Sequence, residues 1–147
     1  MTEPRKYLTA HAPKNIWAEL KLPNEDARVR AMVKSGFNVE LLSNVANIIG
    51  LGPALVAQSL GITNTTLARR RKHGHFTREE SDRIFCLIQV TDRATDLFEG
   101  NRKSAAQWMQ TSVPALGQKQ PIEMLQTTAD TIAVLNLITR LEFGVHS

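Results

Sequence analysis

A chain of 147 residues, 42% of them apolar, with a net charge of +4, is the size of one ordinary domain or two very small ones and can fill a core, which excludes a disordered or fibrous protein. Its single cysteine, Cys86, excludes an intramolecular disulfide and is read as a small buried hydrophobe in a reducing compartment. No apolar run approaches a membrane span and no signal-peptide core follows the first residues, so a cytoplasmic protein without membrane contact is expected.

Helical periodicity recurs along the chain while strand signals are nearly absent, so the expected fold class is all-α. Residues 1–23, with prolines at 4, 13 and 23, read as an N-terminal arm in which only Asn15 to Leu22 can form a short helix, anchored by Trp17. Asn24 can cap a helix with Glu25 and Asp26 in its first turn, where acids suit the positive end of the dipole, and Gly36 closes it. Asn38 opens the next helix, whose Leu41, Leu42, Val45, Ile48 and Ile49 follow amphipathic spacing up to Gly50.

The stretch from Pro53 to Gly74, PALVAQSLGITNTTLARRRKHG, carries a helix-turn-helix pattern. Such a unit needs a small residue where two helices cross, a glycine able to take positive φ in the turn, and apolar residues locking the second helix onto the first. Ala57, Gly61 and the set Val56, Leu60, Ile62 and Leu67 supply them. With Leu67 as the inward reference and 100° per residue, Thr65, Arg69 and Lys72 point most directly outward. Asn64, Thr65, Thr66 and Arg69 are therefore the candidate base readers, and Arg70, Arg71 and Lys72 the candidate phosphate contacts. Arg70 departs from the pattern: it stands where an aliphatic residue usually packs, so either the helix frays there or the arginine stem lies along the surface with its head on phosphate.

Thr77 and Glu80 form a Thr-x-x-Glu capping box for a long helix whose Ile84, Leu87, Ile88, Thr91, Thr95 and Phe98 make one stripe up to Gly100. Asn101 caps a short helix with Ala105, Trp108 and Met109 on one side. A Pro-Ala-Leu-Gly turn follows, then Pro121 as first residue of another short helix ending near Gln126. Thr127 or Thr128 starts the last helix, which runs through Ile132, Leu135, Ile138 and Leu141 to a stop at Gly144. Its apolar arc is wider than one face, so a second neighbour beyond its own domain, either another copy of the chain or another protein, competes with a purely internal core. Trp108 is open in the same way between core and interface.

Charge divides along the same lines. Between Leu41 and Arg78 there is no acid, and Arg69, Arg70, Arg71, Lys72 and Arg78 give that segment +5. Residues 1–40 hold seven cations and five acids, and residues 79–147 six cations and nine acids. One basic segment between less basic flanks is the footprint of a polyanion-binding module, since its cations displace counterions condensed on phosphate. A basic helical hairpin serving only protein contacts is the alternative. Enzymatic chemistry is not expected: His11, His73, His75 and His146 show no metal spacing, and neither a phosphate-binding glycine loop nor a nucleophile elbow is present. No cofactor or metal is expected, and His73 and His75 extend the basic surface.

Two blocks, LGITNTTLARRRKHGHFTREESDRI and the run from the Trp108 region through PALGQKQPIEML, Gln126 and Thr127 to RLEFGV, resemble the Xre/MbcA/ParS-type antitoxins over residues 24 to the C-terminus. The chain is thus divided into the arm (1–23), to which the resemblance does not extend, and two domains that the resemblance implies, a helix-turn-helix domain (24–83) and a small helical toxin-binding and dimerisation domain (84–147). It further implies an NAD-degrading RES-domain toxin as partner, promoter DNA as a second one and a higher toxin-antitoxin complex, while the wide apolar arc of the last helix and the two-fold symmetry of helix-turn-helix operators point to a homodimer. The toxin contacts it implies are Trp108, Arg140, Glu142, Phe143 and Gly144, the chain end lying against the toxin's active site. A stand-alone transcription regulator without a toxin is the competing reading.

Overall fold

The computed structural model describes residues 15–23 and 25–144. Among these residues there are eight α-helices and no strand, only two isolated bridge pairs, Asn38 with His75 and Val113 with Lys119. The helices are α1 (Ile16–Glu19), α2 (Asp26–Ser35), α3 (Glu40–Ile49), α4 (Pro53–Ser59), α5 (Asn64–His73), α6 (Arg78–Leu97), α7 (Arg102–Met109) and α8 (Thr128–Gly144). Two 3-10 turns, Pro114–Leu116 and Pro121–Glu123, lie between α7 and α8.

Local sequence sets most of the boundaries. The Thr77 hydroxyl accepts from Glu80 N–H at 3.1 Å and the Glu80 carboxylate accepts from Thr77 N–H at 2.9 Å, so both orphan donors at the start of α6 are satisfied. Asn101 Oδ1 accepts from Ser104 N–H at the start of α7, and Thr127 Oγ1 from Asp130 N–H at the start of α8. Asn38 Oδ1 accepts from Glu40 N–H, one turn-residue ahead of α3. The expected cap Asn24 lies outside the described residues; α2 starts after Glu25, whose side chain makes no capping bond. The expected helix after Pro121 is only a 3-10 turn, because Gln120 and Glu123 close on each other and Met124 and Leu125 are drawn straight into the core.

The short helix expected within residues 15–22 forms with Trp17 as its anchor, but it is part of the core and not of a detached arm. Ile16, Leu20 and Leu22 are buried in the main core, and the Trp17 ring packs on Phe85 with centroids 5.4 Å apart. Apolar residues four apart give α1 a face to bury, and α6 receives it.

Helix α6 is the axis of the molecule. It packs against α1, α2, α3, α7 and α8, and its buried residues, Ile84, Leu87, Ile88, Val90, Thr91, Ala94 and Thr95, exceed one stripe because it has neighbours on several sides. The Thr91 and Thr95 hydroxyls are satisfied by the carbonyls of Leu87 and Thr91, each at 2.7 Å. Helices α3, α4 and α5 form the other side, and one continuous hydrophobic core joins both.

A short cross-link fixes the end of α5. Phe76 N–H donates to the Phe37 carbonyl, Val39 N–H to the Gly74 carbonyl, and Phe37 N–H to the buried Ser81 hydroxyl at 2.8 Å. Gly36 is required here: its φ is +96°, and a Cβ would lie 2.2 Å from the Phe76 carbonyl oxygen.

Candidate functional site

Helices α4 and α5 form the helix-turn-helix. Val56, Ala57, Leu60, Ile62 and Leu67 are all buried at the crossing. Gly61 makes the turn at φ +77°, and Thr63, a cap not singled out from sequence, accepts from Thr66 N–H to start α5. Outward from this lock, Asn64, Thr65, Ala68, Arg69, Arg71 and Lys72 are exposed. Thr66 is half-buried, its hydroxyl accepting from Thr63 Oγ1 at 3.0 Å, which ties it to the cap. The early residues thus carry short polar groups at the helix start, and Arg71, Lys72 and His73 lie at its end. His73 Nδ1 sits 2.9 Å from the Arg69 carbonyl, and His75 is exposed just beyond.

Arg70 takes neither of its two expected fates. The helix does not fray, and the guanidinium turns back onto Glu80, with Nε 2.7 Å from Oε1 and Nη2 3.0 Å from Oε2. This fork replaces the aliphatic contact of the usual pattern, so Arg70 belongs to the fold and leaves the exposed cationic row. Burial alone would raise the Glu80 carboxyl, but the bonds from Arg70 and Thr77 outweigh it and hold it below the usual carboxylate range. The Glu80 bond correspondingly raises Arg70, against the opposing effect of its burial. Glu80 was readable as a capping residue; its second partner was not.

The turn itself is clasped from outside the unit. Arg83 Nη1 on α6 donates to the Leu60 carbonyl at 3.0 Å, and Gln126 Nε2, just before α8, donates to the Ser59 carbonyl at 3.2 Å.

A second surface lies on α8. Thr131, Val134, Leu137 and Ile138 face the core, whereas Ile132 and Phe143 are 50% and 70% exposed. Eleven residues at 100° each bring Ile132 and Phe143 nearly onto one line, with Asn136 and Thr139 to either side of it and Leu135 further out on its flank. Of the expected partner-facing residues, Arg140, Phe143 and Gly144 are exposed at this end. Glu142 is engaged within the chain: Arg93 Nη2 on α6 reaches Glu142 Oε1 at 3.3 Å and donates to Thr139 Oγ1 at 2.8 Å. Trp108 is half-buried, packed on the core with its ring 6.5 Å from Phe98, away from that chain end in sequence.

An exposed basic helix on one half and a partly uncovered apolar helix on the other define a helix-turn-helix protein with an appended protein-binding half. Sequence matches agree with this division: residues 28–89 match the Antitoxin Xre-like helix-turn-helix domain and residues 93–144 the Antitoxin Xre/MbcA/ParS C-terminal toxin-binding domain. The chain is 37% identical over 134 residues to an Antitoxin Xre of Yersinia enterocolitica and 33% identical over 134 residues to one of Photorhabdus laumondii, with 90% of each chain covered in both cases. The chain belongs to the Xre antitoxin family, whose two domains bind and do not catalyse. The domain matches meet between residues 89 and 93, inside α6, so no linker separates the two halves. No single helix among the described residues is long and apolar enough to cross a membrane.

Proposed function

We propose that this antitoxin works in the cytoplasm, neutralises a RES-domain, NAD-degrading toxin by laying the C-terminal end of α8 over its active site, and represses its own operon through α5. The observation that carries the toxin reading is the exposed end of α8, Arg140, Phe143 and Gly144, within the toxin-binding domain match. An apolar ring beside a cation is the composition of a binding hot spot, and Arg140 supplies a charge-assisted donor for a carboxylate partner. The DNA reading rests on the exposed row Asn64, Thr65, Arg69, Arg71 and Lys72. Residues after Gly100, with Ile132 at their exposed centre, form a homodimer that matches the two-fold symmetry of an operator and scaffolds a higher toxin complex.

Co-expression with a RES-domain toxin encoded beside its gene tests the first part. Phe143→Asp combined with Arg140→Ala is expected to abolish growth rescue while leaving the helical content intact, since neither side chain is buried. Undiminished rescue by that double variant would discard the occlusion mechanism. Failure of the parent chain to rescue discards the tested toxin as partner.

A further inference from the structure

Resting on the DNA-binding reading above, we infer that Gln126, a residue of the toxin-binding half, is a positioning residue for DNA recognition. It acts by holding the turn that aims α5.

In a helix-turn-helix the direction of the second helix is decided by three or four backbone units between the helices. Here α4 ends with its last amides returning inward: Leu60 N–H to the Val56 and Ala57 carbonyls, Gly61 N–H to Gln58, and Ile62 N–H to Ala57. The carbonyls of Ser59 and Leu60 take side-chain donors, and both donors come from outside the unit, Gln126 and Arg83. The Gln126 amide also occupies the space beside the turn glycine: a Cβ at Gly61 would come 2.9 Å from Gln126 Oε1 and 3.1 Å from its Cδ. The amide therefore bonds the turn at Ser59 and leaves no room for a side chain at Gly61. Gln126 is exposed, so solvent could satisfy the Ser59 carbonyl in its absence and the fold does not require the bond. What solvent cannot do is fix the angle. Side chains that read base edges must be held within a fraction of an ångström, whereas phosphate contacts tolerate more play.

Gln126→Met keeps the length and removes the donor. In the full-length protein, against the duplex immediately upstream of its own gene, it is expected to weaken binding roughly five- to tenfold, as for loss of one positioned bond. Binding to a random-sequence duplex, the salt slope, the thermal midpoint and growth rescue against the toxin should not change. Gly61 and Ile62 amides should exchange faster while those of α8 do not. Gln126→Lys, which restores a donor, should recover most of the ratio of upstream to random-sequence affinity. An unchanged ratio in Gln126→Met, with binding still lost in Arg69→Ala plus Lys72→Ala, overturns this inference and leaves the DNA reading standing. A parent chain that binds both duplexes alike, or whose binding survives Arg69→Ala plus Lys72→Ala, overturns the DNA reading and this inference with it.

Discussion

Glu80 serves two elements with one carboxylate: Oε1 caps α6 and meets Arg70 Nε, while Oε2 takes Arg70 Nη2. Both side chains are mostly buried, at 19% and 11% exposure, so an orphaned partner is not freely rescued by water. Glu80→Gln is expected to lower stability by about 1.5–3 kcal/mol, the range for hydrogen bonds to charged groups, read by denaturant titration. The pH sign follows from the depressed carboxyl. Its stabilisation is complete above the unfolded glutamate value of about 4.3 and is lost as pH falls through the lower folded value. The parent chain should therefore lose stability in acid over that window, and Glu80→Gln should lack this component; parallel acid profiles for the two would refute it. On the DNA side, Lys72→Ala should weaken all sequences alike and reduce the salt slope by about 1, whereas Asn64→Ala or Thr65→Ala should relax preference by about 1–3 kcal/mol per base contact. Competition assays at several salt concentrations separate the two. Arg70→Ala should act through stability, not through the slope.

At the scale of elements, what was legible in the sequence was whatever a helix decides within three or four residues. The capping box at Thr77 and Glu80, the cap at Asn101, the start at Thr127 and the lock around Gly61 are of this kind. Illegible parts depend on partners brought together by the fold. Arg70 finds Glu80 ten residues on only because the chain bends between α5 and α6, and Gln126 meets Ser59 across 67 positions. The helix within residues 15–22 and its Trp17 anchor were legible, but the prolines at 4, 13 and 23 made the segment read as part of an arm, while its burial against α6 depends on a distant partner. For α8, the wide apolar arc announced two neighbours without dividing the residues between them; the fold assigns Val134, Leu137 and Ile138 inward and leaves Ile132 and Phe143 outward. Ile132→Asp should accordingly shift the mass seen by light scattering at micromolar concentration from dimer towards monomer with little change in helix content. A parent chain that is monomeric both alone and with toxin would remove the dimer from the proposal.

For the whole molecule, the consequential fact is that α6 belongs to both halves. Residues 84–147 hold every expected toxin contact, but a cut at 84 removes the Thr77–Glu80 capping box and strips α6 of its packing on α1, α2 and α3. That fragment is expected to be poorly helical by circular dichroism, and the intact chain to unfold in one transition that includes both halves. Two resolved transitions would contradict the single core. The same sharing restricts inheritance. A crossover at the junction of the two domain matches, residues 89–93, would fall inside α6 and leave a complete helix on neither side. A chimera joined within residues 84–95 must reconcile two half-helices whose buried side chains were shaped by different neighbours, whereas one joined in the Phe98–Asn101 corner keeps α6 with its own reader and needs only the α7 and α8 faces to match. Exchange of either half alone therefore demands a matched set of buried side chains along α6.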